Sequence, residues 1–160
     1  MARTGSATVE LPSDTEILIT RKFDAPAELV FDVWTTPKHV RNWWGYERDP
    51  MTVCEIDLRV GGKYRFVAVN EGYGEIDFYG EFLEIDRPHR LVSTETFAPY
   101  PEFPATNTLT LLEDDGVTTM TLLVEYPTKE ARDATIASGM EHGLQHSLDR
   151  ADAVLEGLQS

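Results

Sequence analysis

The chain has 160 residues, enough for one domain with a substantial core, and nothing in it suggests a second. With 14 Lys plus Arg against 28 Asp plus Glu, the formal net charge of −14 opposes binding to nucleic acid or to an anionic membrane surface. The single cysteine, Cys54, excludes an internal disulfide and any multi-cysteine metal site, which suits a reducing compartment, and reads as a buried strand residue.

Residues 1–15 are small, polar and unpatterned, with no signal-peptide apolar core, and are expected to form a disordered tail ahead of a single domain over 16–160. No later apolar run is long enough to span a bilayer, so a cytoplasmic location is expected. Ile17 to Phe23 reads as a first strand, stopped by Asp24-Ala25-Pro26. Proline suits the first turn of a helix, and Leu29, Val30, Val33 and Trp34 give the next segment an apolar face of two or three turns. Thr36-Pro37 restarts the chain into a second short helix through Val40, Trp43 and Trp44, ending at Gly45. Strands follow at Met51–Asp57, Tyr64–Asn70 and Glu75–Asp86, where Phe82 to Ile85 breaks the alternation as a bulge would. Arg90–Phe97 continues the series, and Thr108–Glu113 with Val117–Tyr126 makes a hairpin across Asp114-Asp115-Gly116.

The last element is expected to be one long helix from about Lys129 to Leu158, with Thr128 as its N-cap. Ile136, Met140, Leu144, Leu148, Ala151, Leu155 and Leu158 recur every three or four residues, the stripe of a helix packed on a sheet. Gly139 and Gly143 near that stripe each cost about 1 kcal/mol relative to alanine in a helix, so they serve either a close backbone crossing or room for a ligand. Strands joined by short turns make an antiparallel sheet, and such a sheet needs a cover that this helix can supply.

Phe23-Asp24-Ala25-Pro26, Val30-Phe31, Trp34-Thr35, Pro37 and Trp43-Trp44-Gly45, followed by Asp57-Leu58-Arg59, Gly61-Gly62 and Tyr64-Arg65, resemble the SRPBCC (START-like, helix-grip) superfamily. Gly80-Glu81-Phe82, Leu109-Thr110 with Glu113 and Gly116, and Gly139-Met140-Glu141-His142-Gly143 extend the likeness, which is nearest to the group similar to the C-terminal domain of the Hsp-ninety ATPase activator. The resemblance runs from about Ile17 to Leu158 and implies an α+β fold: a curved antiparallel sheet of about seven strands gripping a long C-terminal helix, a cavity between them, and two short helices after the first strand. It implies no shared catalytic triad. Relatives in this superfamily include lipid and polyketide binders, cyclases, and co-chaperone domains, so the fold does not select among activities. Where members of the group often carry tryptophan after the Gly143 equivalent, this chain has Leu144.

Alternation places Glu95 with Leu91 and Phe97 on one strand face. A buried, unpaired carboxyl has a raised pKa, which is how general acids and bases are made; in the opposite register Glu95 faces solvent, and beside an arginine it is structural. Asn107 aligns with Leu109 and Leu111, and Asp133 lies on the helical stripe, where it either meets the cavity or answers the helix dipole. Trp43, Trp44, Tyr64, Phe66, Phe78 and Phe82 are the aromatic candidates for the cavity wall, with Phe97 on the strand and Met140, Gly143 and Leu144 on the helix completing it. His142 and His146, spaced i, i+4 beside Glu141, could in principle share a metal, but counting about 100° per residue from Met140 turns them to solvent. His39 and His89 lack ligand spacing, and there is no nucleophile elbow, phosphate loop or dinucleotide fingerprint.

The expectation is a protein that binds a small apolar or amphipathic, lipid- or polyketide-like molecule, with no metal and no cofactor. Two alternatives stand beside it: a cyclase- or hydrolase-type enzyme using Glu95, and a co-chaperone-like interaction domain with a chaperone partner. An edge strand makes a homodimer compatible with the fold.

Overall fold

The computed structural model describes residues 7–160. It contains, in order, β1 (Thr8–Glu10), β2 (Glu16–Phe23), α1 (Ala27–Thr35), α2 (Pro37–Val40), β3 (Met51–Ile56), β4 (Lys63–Asn70), β5 (Gly74–Asp86), β6 (Arg90–Phe97), β7 (Ala105–Asp114), β8 (Val117–Glu125), α3 (Lys129–Ala137) and α4 (Met140–Gln159). The strands form one antiparallel sheet in the order β1-β2-β8-β7-β6-β5-β4-β3, so the N-terminal strands close on the last strand. The expected bulge appears as a register shift between Phe82 and Glu84, and the β7–β8 hairpin turns through Asp115 and Gly116, both at positive φ, as a two-residue type I′ turn requires.

Two expectations change. The stretch taken as a loose tail supplies an eighth strand: Thr8, Val9 and Glu10 pair with Thr20, Ile19 and Leu18. The Gln145 side chain fixes this segment by accepting from the Ala7 amide at 3.0 Å and donating to the Ala7 carbonyl at 2.8 Å. A glutamine amide matches a peptide unit in both directions, which a scan for apolar periodicity does not register. Residues 1–6 of the expected tail lie outside the described residues.

The final helix is two helices. Thr128 caps α3 as expected, its hydroxyl accepting from the Ala131 amide at 3.1 Å. The helix then stops at Ser138, and Gly139 takes φ +83, the left-handed conformation that ends helices. The ends of the expected stripe consequently stay in solvent, Ile136 and Leu158 being exposed, while Leu148, Ala151 and Leu155 are buried. The core holds these three with Ile17, Ile19 and Phe23 of β2, Val30, Phe31 and Val33 of α1, and Leu109, Leu111 and Met120 of the hairpin. Helix α1 is tied to that hairpin by Glu113, which accepts from the Ala27 amide at 2.8 Å, and by Thr118, whose hydroxyl donates to the Ala25 carbonyl at 2.6 Å. Cys54 is buried in β3, and burial raises its thiol pKa.

A charged contact also binds sheet to helix. Arg21, wholly buried between Ile19 and Phe23, donates to Asp149 at 2.9 Å and to Asp152 at 3.3 Å on α4. No helix among the described residues is long and apolar enough to cross a membrane.

Candidate functional site

Antiparallel partners share a face, so the register assigns the inner surface strand by strand. Arg21 reaches α4, and its partner Met120 therefore also faces the helix. From Met120 the face continues through Leu111, Leu109 and Asn107 of β7 to Leu91, Ser93 and Glu95 of β6. It proceeds through Phe78 and Phe82 of β5, partners of Phe97 and Ser93, to Tyr64 and Phe66 of β4. Glu95 thus points to the concave side, and the outward register is not the one adopted.

The grip is uneven. Over β2, β8 and β7 the helix packs through Leu148, Ala151 and Leu155, each no more than 2% exposed. Over β4, β5 and β6 the inward side chains Phe66, Phe78, Glu95 and Phe97 remain half-buried, as do Trp44, Met140 and Leu144 facing them. We read this partial exposure as an unsealed cleft, since a closed core would remove the accessible area of its rings. The rings touch in a branched row. Trp44 meets Phe66 and Phe78 edge-on at 5.5 and 5.9 Å between centroids, Phe78 stacks on Phe97 at 4.9 Å, and Phe97 approaches the exposed Tyr100 at 6.0 Å. The other branch passes from Phe66 to Tyr64 at 5.2 Å and on to Phe82 at 5.4 Å.

Polar groups collect at the β6–β7 side of this floor. Burial raises the pKa of Glu95, and the Asn107 amide beside it pulls the other way. The same carboxyl raises Tyr64 and Tyr126, although burial is the larger cause for both phenols. Tyr64 donates its hydroxyl hydrogen to the Thr94 carbonyl at 2.6 Å. Its ring lies over Gly80, where a Cβ would stand 2.7 Å from the Tyr64 Cε2 and 1.9 Å from the Thr94 oxygen, so only glycine fits. Asn107 keeps its Oδ1 buried without a hydrogen-bond partner. Among the described residues no salt bridge reaches Glu95, and the arginine-paired alternative is therefore not the arrangement present.

Several expected cavity residues stand elsewhere. Trp43 is 7% exposed, stacked on Trp34 at 4.4 Å with its indole N–H donating to the Val33 carbonyl at 2.9 Å, and belongs to the scaffold. Leu109 and Phe82, though on the inner face, are 4% and 5% exposed and act as floor. Asp133 points to solvent in ion pairs with Lys129 at 2.8 Å and Arg132 at 2.9 Å, which lower its pKa, hydrogen bonding from Lys129 first. In α3, a separate helix that ends before Gly139, Arg132 and not Asp133 is the buried residue, donating to the Ser13 carbonyl. Gly143 does not open onto a cavity: a Cβ there would meet the Tyr46 hydroxyl at 3.5 Å, so this glycine admits Tyr46 against α4.

The histidines join the same contact. Exposed His142 shares a hydrogen bond with the Tyr46 hydroxyl at 2.8 Å through Nδ1, whereas His146 is half-buried under the Tyr46 ring at 4.9 Å, more enclosed than its helical position suggested. A depression of about 350 Å³ lies next to it, walled by Asn42, Glu47, His146, Asp149, Arg150 and Val154. It sits on the outer side of α4, open and charged, and shares no residue with the aromatic cleft. We place the candidate site in the cleft because aromatic rings and a carboxyl that no salt bridge reaches among the described residues lie on the same concave face there. Tyr126, Ser93 and Tyr100 are members that the sequence reading missed. Tyr126 continues the alternation of Leu122 and Val124 one step beyond the strand end, which was the available signal.

An eight-stranded antiparallel sheet closed over a C-terminal helix, with short helices after the long N-terminal strand, defines a helix-grip domain. The family model described as "Activator of Hsp90 ATPase homolog 1-like protein" matches residues 24–156, and the chain belongs to that family. Among solved structures, it resembles a Rhodobacter sphaeroides protein at 28% identity and TM-score 0.87, covering 95% of this chain and 99% of the other. A Mycobacterium smegmatis protein matches at 26% identity and TM-score 0.83, covering 96% and 99%, and an Arthrobacter aurescens protein at 25% and 0.84, covering 94% and 91%. No curated protein matches the chain.

Proposed function

We propose that this protein binds a small amphipathic molecule with a planar or apolar body in the cleft between β4–β6 and the first turns of α4. The observation that supports this reading is the half-burial of inward-facing Trp44, Phe66, Phe78 and Phe97 in a protein whose Phe23 and Phe31 are fully buried. Apolar surface left partly wet on a concave face gains about 25 cal/mol per Å² when a ligand covers it. Glu95 and Asn107 orient the polar end of the ligand. The family description also raises a co-chaperone-like role, which would rest on an outer surface instead of this cleft.

The test is titration of 2-naphthylmethanol, a neutral probe, followed by tryptophan fluorescence and by NMR shifts of the Phe78 and Phe97 rings. Saturable binding weakened by Phe78→Ala is expected. A probe that binds without perturbing these rings rejects the cleft as the site.

A further inference from the structure

We infer that the molecule this cleft takes is an organic cation: an amine, carried on an apolar or aromatic body, whose ammonium group sits against Glu95. The inference rests on the cleft reading above and adds the charge and hydrogen-bonding character of the ligand. It begins from what the cleft lacks. On its floor Asn107 Oδ1 is a buried acceptor without a partner, and among the described residues no salt bridge reaches Glu95. The Tyr64 hydroxyl hydrogen is spent on the Thr94 carbonyl. The Asn107 amide is the group that answers Glu95, and its Oδ1 is buried with no donor. A carboxylate withdrawn from water and a carbonyl oxygen without a partner are each costly, and both call for N–H donors. An ammonium group supplies three, together with the positive charge that a half-buried carboxylate needs.

The surroundings suit a cation equally. Trp44, Phe66, Phe78, Phe97 and Tyr64 present ring surface around the carboxyl's side of the sheet, and aromatic faces attract organic cations. The arrangement contrasts with Arg21 at the other end of the sheet, where a buried cation already has Asp149 and Asp152. There the chain completes its own ion pair; at Glu95 the cation has to come from outside. The net charge of −14 favours the approach of positively charged solutes and disfavours anions such as fatty acids. Burial raises the pKa of Glu95, and an ammonium partner works in the opposite direction by favouring the ionised form.

The experiment compares two isosteric probes, 2-naphthylmethylammonium and 2-naphthylmethanol, by calorimetry on wild type and Glu95→Gln at pH 7.5 and fixed ionic strength. Wild type should bind the ammonium on the order of tenfold more tightly. Glu95→Gln should abolish that preference, bringing the two probes to similar affinity, which separates the site carboxyl from general attraction by an acidic surface. The wild-type comparison needs no variant and decides the point even if Glu95→Gln folds poorly. Equal affinity of the two probes in wild type, or a preference that survives Glu95→Gln, overturns the inference and leaves the cleft reading standing. Failure of both probes to bind overturns both.

Discussion

The Arg21 guanidinium in β2 and the Asp152 carboxylate in α4 meet at 3.3 Å with both side chains buried, and this pair joins the N-terminal end of the sheet to its helix. Asp149, more exposed, takes the other terminal nitrogen at 2.9 Å. A buried cation that loses a carboxylate keeps its desolvation cost without the compensating attraction. Asp152→Ala should therefore destabilise the fold by about 3–5 kcal/mol, measured by urea denaturation. The double variant Arg21→Met, Asp152→Leu removes both charges and should lose less than Asp152→Ala alone. A double variant worse than the single one would show that the pair is held for more than charge compensation.

Glu95 predicts a pH dependence of stability. Its pKa in the folded protein is raised above the ordinary 4.5 by burial, so folding favours the protonated form. The associated stability is present below the unfolded value and is lost as pH rises through the folded one. Glu95→Gln keeps the shape of the neutral acid and does not ionise. The variant should melt with wild type near pH 4 and above it at pH 7 to 8, the gap widening across the interval. A gap that is constant with pH would place the carboxyl in a well-solvated setting.

Gly139 and Gly143, four residues apart, should respond oppositely to alanine. At Gly139 a Cβ meets nothing within 4 Å, but the φ of +83 is unfavourable for any L side chain, so Gly139→Ala should cost about 1–2 kcal/mol. At Gly143 the backbone is helical and a Cβ would lie in ordinary contact with Tyr46, 3.5 Å from its hydroxyl. Gly143→Ala should be neutral or gain up to about 1 kcal/mol from helix propensity. Thermal melts of the two variants check this, and Gly143→Ala being the more damaging would contradict it.

Gly80→Ala should harm the cleft through the sheet. Its Cβ would fall 1.9 Å from the Thr94 carbonyl oxygen, a backbone atom that cannot step aside without parting β5 from β6. A loss of about 1–3 kcal/mol or more is expected, together with displacement of the Tyr64 ring and weaker naphthylmethanol binding. Unchanged stability and binding would mean that the strands flex here more than their register suggests.

Much of this architecture was legible in the sequence because it is local. The alternation of Ile17, Ile19 and Phe23, the Asp115-Gly116 turn, the Thr128 cap and the bulge after Phe82 each follow from a few neighbouring residues, and each appears where expected. The order of aromatic and glycine motifs sufficed for the family and for the helix-grip fold. Alternation likewise grouped Glu95 with Leu91 and Phe97, and Asn107 with Leu109, on one face of each strand, since pleating leaves a strand only two choices; which of the two faces inward is set by the sheet register.

The tertiary structure decided what depends on groups far apart in the chain. Periodicity carried the last helix straight through Gly139, because a 3.6-residue count does not see a left-handed turn, and in the separate α3 the buried residue is Arg132 instead of Asp133. Arg21 sits in the same strand as Ile17, Ile19 and Phe23, and its partners Asp149 and Asp152, 128 and 131 residues later, are brought to it only by the fold. Gly143 reads in sequence as either a close crossing or room for a ligand, and it is Tyr46, nearly a hundred residues away, that lies against it. A sequence specifies which face a side chain takes through short-range geometry, but whether that face is sealed, paired or left open is settled by the element that packs on it. That is why the sequence could group Glu95 with Leu91 and Phe97 on one face, and why the concave position of that face and the absence, among the described residues, of a salt bridge to Glu95 became visible only in the folded chain.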